Sequence, residues 1–170
     1  LTKQHTYNLA ATLYPYATNP RGEISYQADL LYKIPKKTFF GGKYGTSIAL
    51  NFATSYTPKR EFINDLGSSR QSYSTRLFSM SDSILYQDFN IEIKRKINKK
   101  WKFNVNYFNF IFEDRAVLVA QHHELIHAQI AVLDLTYKIN RKHSLRWEFQ
   151  GLWTKTTNEL ITTTEGERVY

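Results

Sequence analysis

The sequence predicts an all-β protein: an antiparallel up-and-down transmembrane β-barrel, or a partial barrel of about seven to eight strands. Three observations carry this expectation. A basic turn recurs at Tyr32-Lys-Ile-Pro-Lys-Lys37, Lys96-Ile-Asn-Lys-Lys-Trp101 and Tyr137-Lys-Ile-Asn-Arg-Lys-His143. Each copy closes one run of alternating apolar and polar residues and opens another, as a row of hairpins does. The connections between hairpins, residues 57 to 86 and 113 to 126, are longer and carry Glu61, Asp65, Asp82, Glu113, Asp114 and Glu124. Short turns on one rim and long loops on the other is the asymmetry of bacterial outer-membrane barrels, whose short turns face the periplasm.

The first and weakest strand is residues 5 to 14, through Tyr7, Leu9, Ala11 and Leu13, turning at Tyr14 to Gly22. The clearest is residues 22 to 34. There Ile24, Tyr26, Ala28, Leu30, Tyr32 and Ile34 alternate with Ser25, Gln27, Asp29, Leu31 and Lys33, which gives one apolar and one mostly polar face. Its turn is stretched by Thr38-Phe-Phe-Gly-Gly-Lys-Tyr-Gly45. In residues 46 to 56, Ile48, Leu50, Phe52 and Tyr56 oppose the small Ser47, Ala49, Asn51, Ala53 and Ser55. In residues 88 to 97, Phe89, Ile91, Ile93 and Ile97 oppose Asn90, Glu92, Lys94 and Lys96. Arg95 interrupts the apolar face near the turn, where a long side chain can reach water.

Residues 101 to 112 begin with Trp101, Phe103, Val105 and Tyr107 on one face, after which Phe108, Phe110 and Phe112 take over. A one-residue slip of this kind is what a β-bulge would produce. From 129 to 139, Ala131, Leu133, Leu135, Tyr137 and Ile139 oppose Asp134, Thr136 and Lys138. From 144 to 153, Leu145, Trp147, Phe149, Gly151 and Trp153 oppose Arg146, Glu148 and Gln150. The expected cross-strand pairs are Ile139 with Leu145, Tyr137 with Trp147 and Leu135 with Phe149. Across the Asn98 turn they are Ile97 with Trp101, Ile93 with Val105 and Ile91 with Tyr107. These make seven strands, and an eighth would begin near Arg168.

At 170 residues and 20.0 kDa there is room for one domain, so residues 1–170 are read as a single β-barrel region. The net charge of +8 raises the question of nucleic acid, but the basic residues sit in turns and the aromatics belong to an apolar face, so no stacking platform is left over. An anionic surface is the better partner. Lys36, Lys37, Lys43, Lys94, Arg95, Lys96, Lys99, Lys100, Arg141 and Lys142 would ring the periplasmic mouth near anionic headgroups. Cysteine is absent, which permits passage through an oxidising compartment. No apolar run reaches the roughly 20 residues a spanning helix needs, whereas barrel strands need only about 9 to 11. No leader precedes Leu1, so any export signal is expected to have been removed or left out.

Tyrosine and tryptophan cluster near strand ends at Tyr14, Tyr16, Tyr32, Tyr56, Trp101, Tyr137, Trp147 and Trp153. Of these, Tyr32, Trp101, Tyr137, Trp147 and Trp153 are the candidates for the membrane interface, although aromatics also favour strands in general. The polar face supplies the candidate lumen residues Asp29, Lys33, Glu92, Lys94, Asp134, Lys138, Arg146 and Glu148. Their mixed charge would either plug the interior or line a water path.

At Gly42-Lys-Tyr-Gly-Thr-Ser47, Tyr86-Gln-Asp-Phe-Asn-Ile-Glu92, Ile130-Ala-Val-Leu-Asp-Leu-Thr-Tyr137 and Leu145-Arg-Trp-Glu-Phe-Gln-Gly-Leu-Trp-Thr154, the chain resembles a Bacteroidota family of outer-membrane β-barrel proteins of unknown function. The resemblance spans most of residues 5 to 155 and departs from the family after Lys155. Members run to several hundred residues, so the resemblance implies a fragment of a larger barrel. It brings no substrate, cofactor or catalytic residue with it.

One motif points elsewhere. His123-Glu-Leu-Ile-His127 is a literal H-E-x-x-H, in which two histidines one helical turn apart hold Zn²⁺ and Glu124 serves as general base. The chemistry requires a helix, drawn here over residues 117 to 131, with Glu148 as a candidate third ligand. In a strand the same spacing parts the histidines by roughly 13 Å. The period-two run that follows favours a strand, with His122, His123 and His127 in a solvated loop and strand end. The expectation is therefore a non-enzymatic bacterial outer-membrane protein without cofactor. Its partners would be outer-membrane lipid and other envelope proteins, and its role solute passage or scaffolding. The alternatives are a zinc metallopeptidase, a soluble β-barrel or sandwich that binds a ligand, and a complete eight-stranded small barrel.

Overall fold

The computed structural model describes residues 7–12, 22–63, 72–113 and 124–158. Six strands form one antiparallel sheet: β1 (Ile24–Ile34), β2 (Thr46–Pro58), β5 (Met80–Lys96), β6 (Trp101–Glu113), β7 (Glu124–Lys138) and β8 (Ser144–Asn158). Each lies beside its chain neighbour, in the order β1-β2-β5-β6-β7-β8, so the topology is up-and-down. Two short strands, β3 (Glu61–Ile63) and β4 (Ser72–Ser74), pair separately within the β2–β5 connection. Among the described residues the sheet is open, with β1 and β8 as its edges.

The six clear alternating runs are these six strands, and the expected weak strand at residues 5–14 is not one. Asn8–Thr12 is a short helix, α1, with Ala11 N donating to Tyr7 O at 2.9 Å. Five residues cannot hold a helix in water. Here Tyr7 and Ala10 are buried against Phe108, Phe110, Phe112, Ala128, Ile130 and Val132 of β6 and β7. The alternation of Tyr7, Leu9 and Ala11 belongs to an apolar segment packed on the sheet rather than paired in it. The eighth strand expected near Arg168 lies outside the described residues, as does the turn expected at Tyr14 to Gly22 apart from Gly22 itself.

No β-bulge occurs in β6. Its register is continuous with β5 from Tyr86↔Phe112 to Lys96↔Lys102, and with β7 from Trp101↔Tyr137 to Glu113↔Leu125. The apolar residues change face because the sheet itself has two environments. Near the basic turns the outer face is apolar and the inner face polar. Farther along, α1 covers the inner face and Phe108, Phe110 and Phe112 pack beneath it. The register shifts fall instead between β2 and β5, at Ser55/Tyr56 and Tyr56/Pro58, where β5 continues back to Met80 through residues expected to be loop.

The β7–β8 register also differs from expectation by two residues. Tyr137 faces Leu145, Leu135 faces Trp147 and Leu133 faces Phe149. The reason is the turn. Asn140 Oδ1 accepts from the backbone N–H groups of Lys142 and His143, both at 2.8 Å, and Ile139 N donates to His143 O at 3.1 Å. The β5–β6 turn has the same geometry: Asn98 Oδ1 accepts from Lys100 N and Trp101 N at 2.8 Å, and Ile97 N donates to Trp101 O at 3.0 Å. An asparagine that mimics a backbone carbonyl fixes both turns at one length. The expected Asn98 register, with Ile93 facing Val105 and Ile91 facing Tyr107, is the observed one.

The β1–β2 connection is longer and is folded on itself. Lys37 N donates to Gly42 O at 2.7 Å and Gly42 N to Thr38 O at 2.8 Å, while Thr38 Oγ1 bonds Pro35 O at 2.9 Å. Gly41 must be glycine, because a Cβ there would strike Pro35 O. Phe39 and Phe40 meet edge to face at a centroid distance of 5.0 Å, and both project into the surroundings.

Candidate functional site

Register partners in an antiparallel sheet share a face, so the pairing assigns every strand side chain to one of two surfaces. On the outer face, one row runs Leu30–Leu50–Ile91–Tyr107–Ala131–Gly151 and the next Tyr32–Ile48–Ile93–Val105–Leu133–Phe149, across all six strands. Much of this surface is uncovered: Leu30 and Phe149 are each 59 % exposed and Tyr32 58 %. A contiguous apolar surface of this extent marks an interaction face.

Aromatics stand at both ends of it. Trp101 packs on Tyr137 at 4.7 Å and stacks on Trp147 at 6.1 Å, so three of the five candidate interface aromatics converge at the basic rim. Tyr32 shares their face, across from Ile48. Trp153, six residues beyond Trp147 on β8, sits about 20 Å away at the other level.

The inner face is polar near the basic turns. Asp29, Lys33, Glu92, Lys94, Asp134, Lys138, Arg146 and Glu148 all fall on it, and Lys33, Lys94, Asp134 and Glu148 occupy a single row with Ser47 and Asn104. Two hydrogen-bonded ladders organise these side chains. On β1, β2 and β5, Asn51 Nδ2 donates to Asp29 Oδ1 at 2.6 Å. Asn90 Nδ2 donates to Asn51 Oδ1 and Asp88 Oδ1 at 3.1 and 3.2 Å, and Tyr86 OH reaches Asp88 Oδ2 at 3.3 Å. On β5 to β8, Lys94 Nζ pairs with Glu92 at 2.7 Å, and the Arg146 guanidinium bridges Asp134 at 2.8 Å and Glu148 at 2.7 Å.

Tyr7 joins the second ladder to α1. Its hydroxyl accepts from Asn104 Nδ2 at 2.8 Å and Asn106 Nδ2 at 2.9 Å, and Asn104 Nδ2 also lies 3.1 Å from Glu92 Oε1. Leu9 N donates to Gln150 Oε1 at 3.2 Å, so α1 is held by β6 and β8 together. Burial raises the Tyr7 phenol above the ordinary tyrosine range, and the carboxylates of Asp134 and Glu92 add to the rise. Buried Asn104 Oδ1 and Asp134 Oδ1 have no hydrogen-bond partner among the described residues, which leaves acceptor capacity in the same row.

Tyr7, Asn51, Asn90, Asn104 and Asn106 are not among the candidate site residues, although alternation alone puts Tyr7 in the expected weak strand and Asn51 and Asn90 opposite an apolar face. The available signal was the pair Asn104 and Asn106 at strand spacing on a face that then turns aromatic, because a buried amide must find a partner.

The metal motif is placed differently. Glu124 begins β7 and His127 lies within it, opposite Ile111 on β6 and Lys155 on β8. The described part of H-E-x-x-H is therefore extended, without the helix the peptidase chemistry needs, and His122 and His123 lie outside the described residues. Among the described residues no group of three His, Cys, Asp or Glu could hold a metal ion, and no helix is long and apolar enough to cross a membrane.

The basic rim carries two clefts on either side of the Asn98 turn. One, of about 410 Å³, is walled by Lys43, Tyr44, Ile97, Lys100, Trp101 and Tyr137. The other, of about 340 Å³, is walled chiefly by Lys96, Lys99, Lys102, Lys138, Arg141 and Lys142. The turns are joined by Lys138 N donating to Lys100 O at 2.8 Å.

A model of a family of unknown function (DUF6029) matches residues 1–164, and the chain belongs to that family. This bears out the coarser part of the resemblance read from the sequence. No curated protein and no solved structure matches the chain.

Proposed function

We propose that this member of a family of unknown function forms part of the wall of a bacterial outer-membrane β-barrel and acts as a non-enzymatic envelope protein. The outer membrane and a Bacteroidota source are what the sequence resemblance implies. The observation that carries the reading is the two-faced sheet: six strands with uncovered apolar rows on one side and hydrogen-bonded polar ladders on the other. That is the alternation of a barrel wall, whose lipid face is apolar and whose lumen face is polar. The aromatics at both levels suit the two interfaces, and the short basic turns suit the periplasmic rim. With Tyr7 and α1 seated on the lumen side, the interior is narrowed, which favours a scaffold or a restricted path over a wide pore.

The test combines fractionation with one substitution. Carbonate-washed outer membranes should retain the chain. Leu133→Arg, which puts a charge in a central outer row, should lower membrane assembly by about 2 to 4 kcal/mol, the cost of arginine on a lipid face near the bilayer midplane. Recovery of the wild-type chain in the soluble fraction, with Leu133→Arg folding unimpaired, would refute the barrel. A soluble ligand-binding β-sheet protein would then be the better account.

A further inference from the structure

We propose that the rim formed by the Asn98 and Asn140 turns is a binding site for the phosphate-bearing headgroup of an anionic phospholipid. The acyl chains would lie on the adjoining outer face. The proposal rests on the barrel reading for the presence of a bilayer.

The two turns present cations on a fixed frame. Each is closed by an asparagine that accepts two backbone N–H groups, and a backbone bond from Lys138 to Lys100 locks one turn to the other. Among the described residues no carboxylate lies within 4.0 Å of Lys96, Lys99, Lys100, Lys102, Arg141 or Lys142. The nearest acidic residues along the strands are already committed: Glu92 to Lys94, and Asp134 and Glu148 to Arg146. Six like charges without internal neutralisation among the described residues, four on the turns and Lys96 and Lys102 entering from the inner face, make this rim attractive to an external anion.

The walls decide which anion. Ammonium groups lie over the aromatic walls of the larger cleft: Lys43 Nζ is 6.0 Å from the Tyr44 centroid and Lys100 Nζ 5.9 Å from that of Tyr137, while Lys96 Nζ, from the wall of the other cleft, reaches to 4.9 Å from Tyr44. These contacts draw the cations to the membrane side of the rim. Beside them Ile97 is 56 % exposed, and Trp101 continues through stacked Trp147 toward exposed Leu145 and Phe149. Charge and greasy surface therefore meet along one line. A soluble phosphate would use only the charge and a hydrocarbon only the apolar wall, whereas a phosphodiester carrying acyl chains uses both. A nucleic acid would need exposed ring faces, but Trp101, Tyr137 and Trp147 are turned onto one another.

The experiment is native mass spectrometry of the full chain released from nanodiscs that contain equal amounts of phosphatidylglycerol and phosphatidylcholine. Retained phosphatidylglycerol is expected to dominate. Lys99→Gln, Lys100→Gln and Lys142→Gln together should cut the preference by about a hundredfold, roughly fivefold per charge. The same three positions changed to arginine should keep the preference, which separates charge from fold. Equal retention of both lipids by an embedded wild-type chain would overturn the site while leaving the barrel standing. Displacement of the lipid by inorganic phosphate alone would overturn the lipid assignment. A chain that never enters bilayers would overturn the barrel reading, and the lipid site with it.

Discussion

Removing one oxygen atom, by Tyr7→Phe, separates the two ways in which α1 is held to the sheet. The ring keeps its burial and its edge-on contact with Phe108 at 6.3 Å, so packing is unchanged. The lost hydroxyl is the acceptor for two buried amides. Asn104 retains Glu92 at 3.1 Å, but Asn106, only 2 % exposed, loses the one acceptor its Nδ2 has among the described residues. A buried donor left without a partner costs about 1 to 3 kcal/mol, and the weakened Asn104 adds a smaller amount. A total of about 2 to 3 kcal/mol corresponds to roughly 30- to 150-fold easier undocking of the segment.

Amide exchange at Ala11, whose N–H bonds Tyr7 O, reads that equilibrium directly. The expected result is exchange faster by that factor in the full chain, with the sheet amides unchanged. The pH dependence supplies a second readout. Because the folded phenol has a raised pKa, its docking stability is fully present below the ordinary tyrosine value of about 10 and is lost as pH rises through the folded value. Tyr7→Phe should remove that loss, and the wild-type minus variant difference cancels the lysines. Unchanged Ala11 protection in Tyr7→Phe, together with loss in Tyr7→Ala, would refute the reasoning and assign the docking to ring burial alone.

Asn98→Ala and Asn140→Ala should each destabilise their hairpin by about 1 to 2 kcal/mol, and by similar amounts, because each removes the acceptor of two exposed turn N–H groups. Asn→Asp should recover most of this, as measured by denaturant titration of the chain in detergent. Gly41→Ala should cost about 2 kcal/mol or more, since the new methyl meets Pro35 O and Thr38 Oγ1 inside a tight loop. Gly151→Ala meets only the far edge of the exposed Trp153 ring, at 2.9 Å, and should cost less than about 1 kcal/mol as that ring swings aside. Trp153 fluorescence in the two variants would distinguish them.

Six strands were legible because alternation with a period of two survives wherever each face has a single environment. It misled where the environment changed along a strand. In β6 the shift from Val105 and Tyr107 to Phe108 and Phe110 reads as a bulge until α1 is placed above the phenylalanines. The same α1 alternates through Tyr7, Leu9 and Ala11, and nothing local distinguishes a strand from a short helix that one apolar wall supports. The two-residue error at the β7–β8 turn was avoidable. Ile97-Asn98 and Ile139-Asn140 are the same turn start, and applying the first register to the second gives the observed Tyr137↔Leu145 pair. The beginning of β5 was hidden by Ser81, Asp82 and Ser83, which look like loop. Of the polar face, the charged residues were readable from alternation. The asparagine–tyrosine node was not, because Tyr7 comes from a segment 97 residues from Asn104.

That separation sets an order of events in assembly. Tyr7 and Leu9 are synthesised long before the side chains that hold them: the donors Asn104 and Asn106 lie 97 and 99 residues beyond Tyr7, and Gln150, which accepts from Leu9 N, lies 141 residues beyond Leu9. A five-residue helix has no stability of its own, so the segment must stay uncommitted until β6 and β8 stand side by side. An element made before the sheet is therefore settled only after it. Its arrival buries Phe108, Phe110 and Phe112 and marks completion of the sheet beneath it.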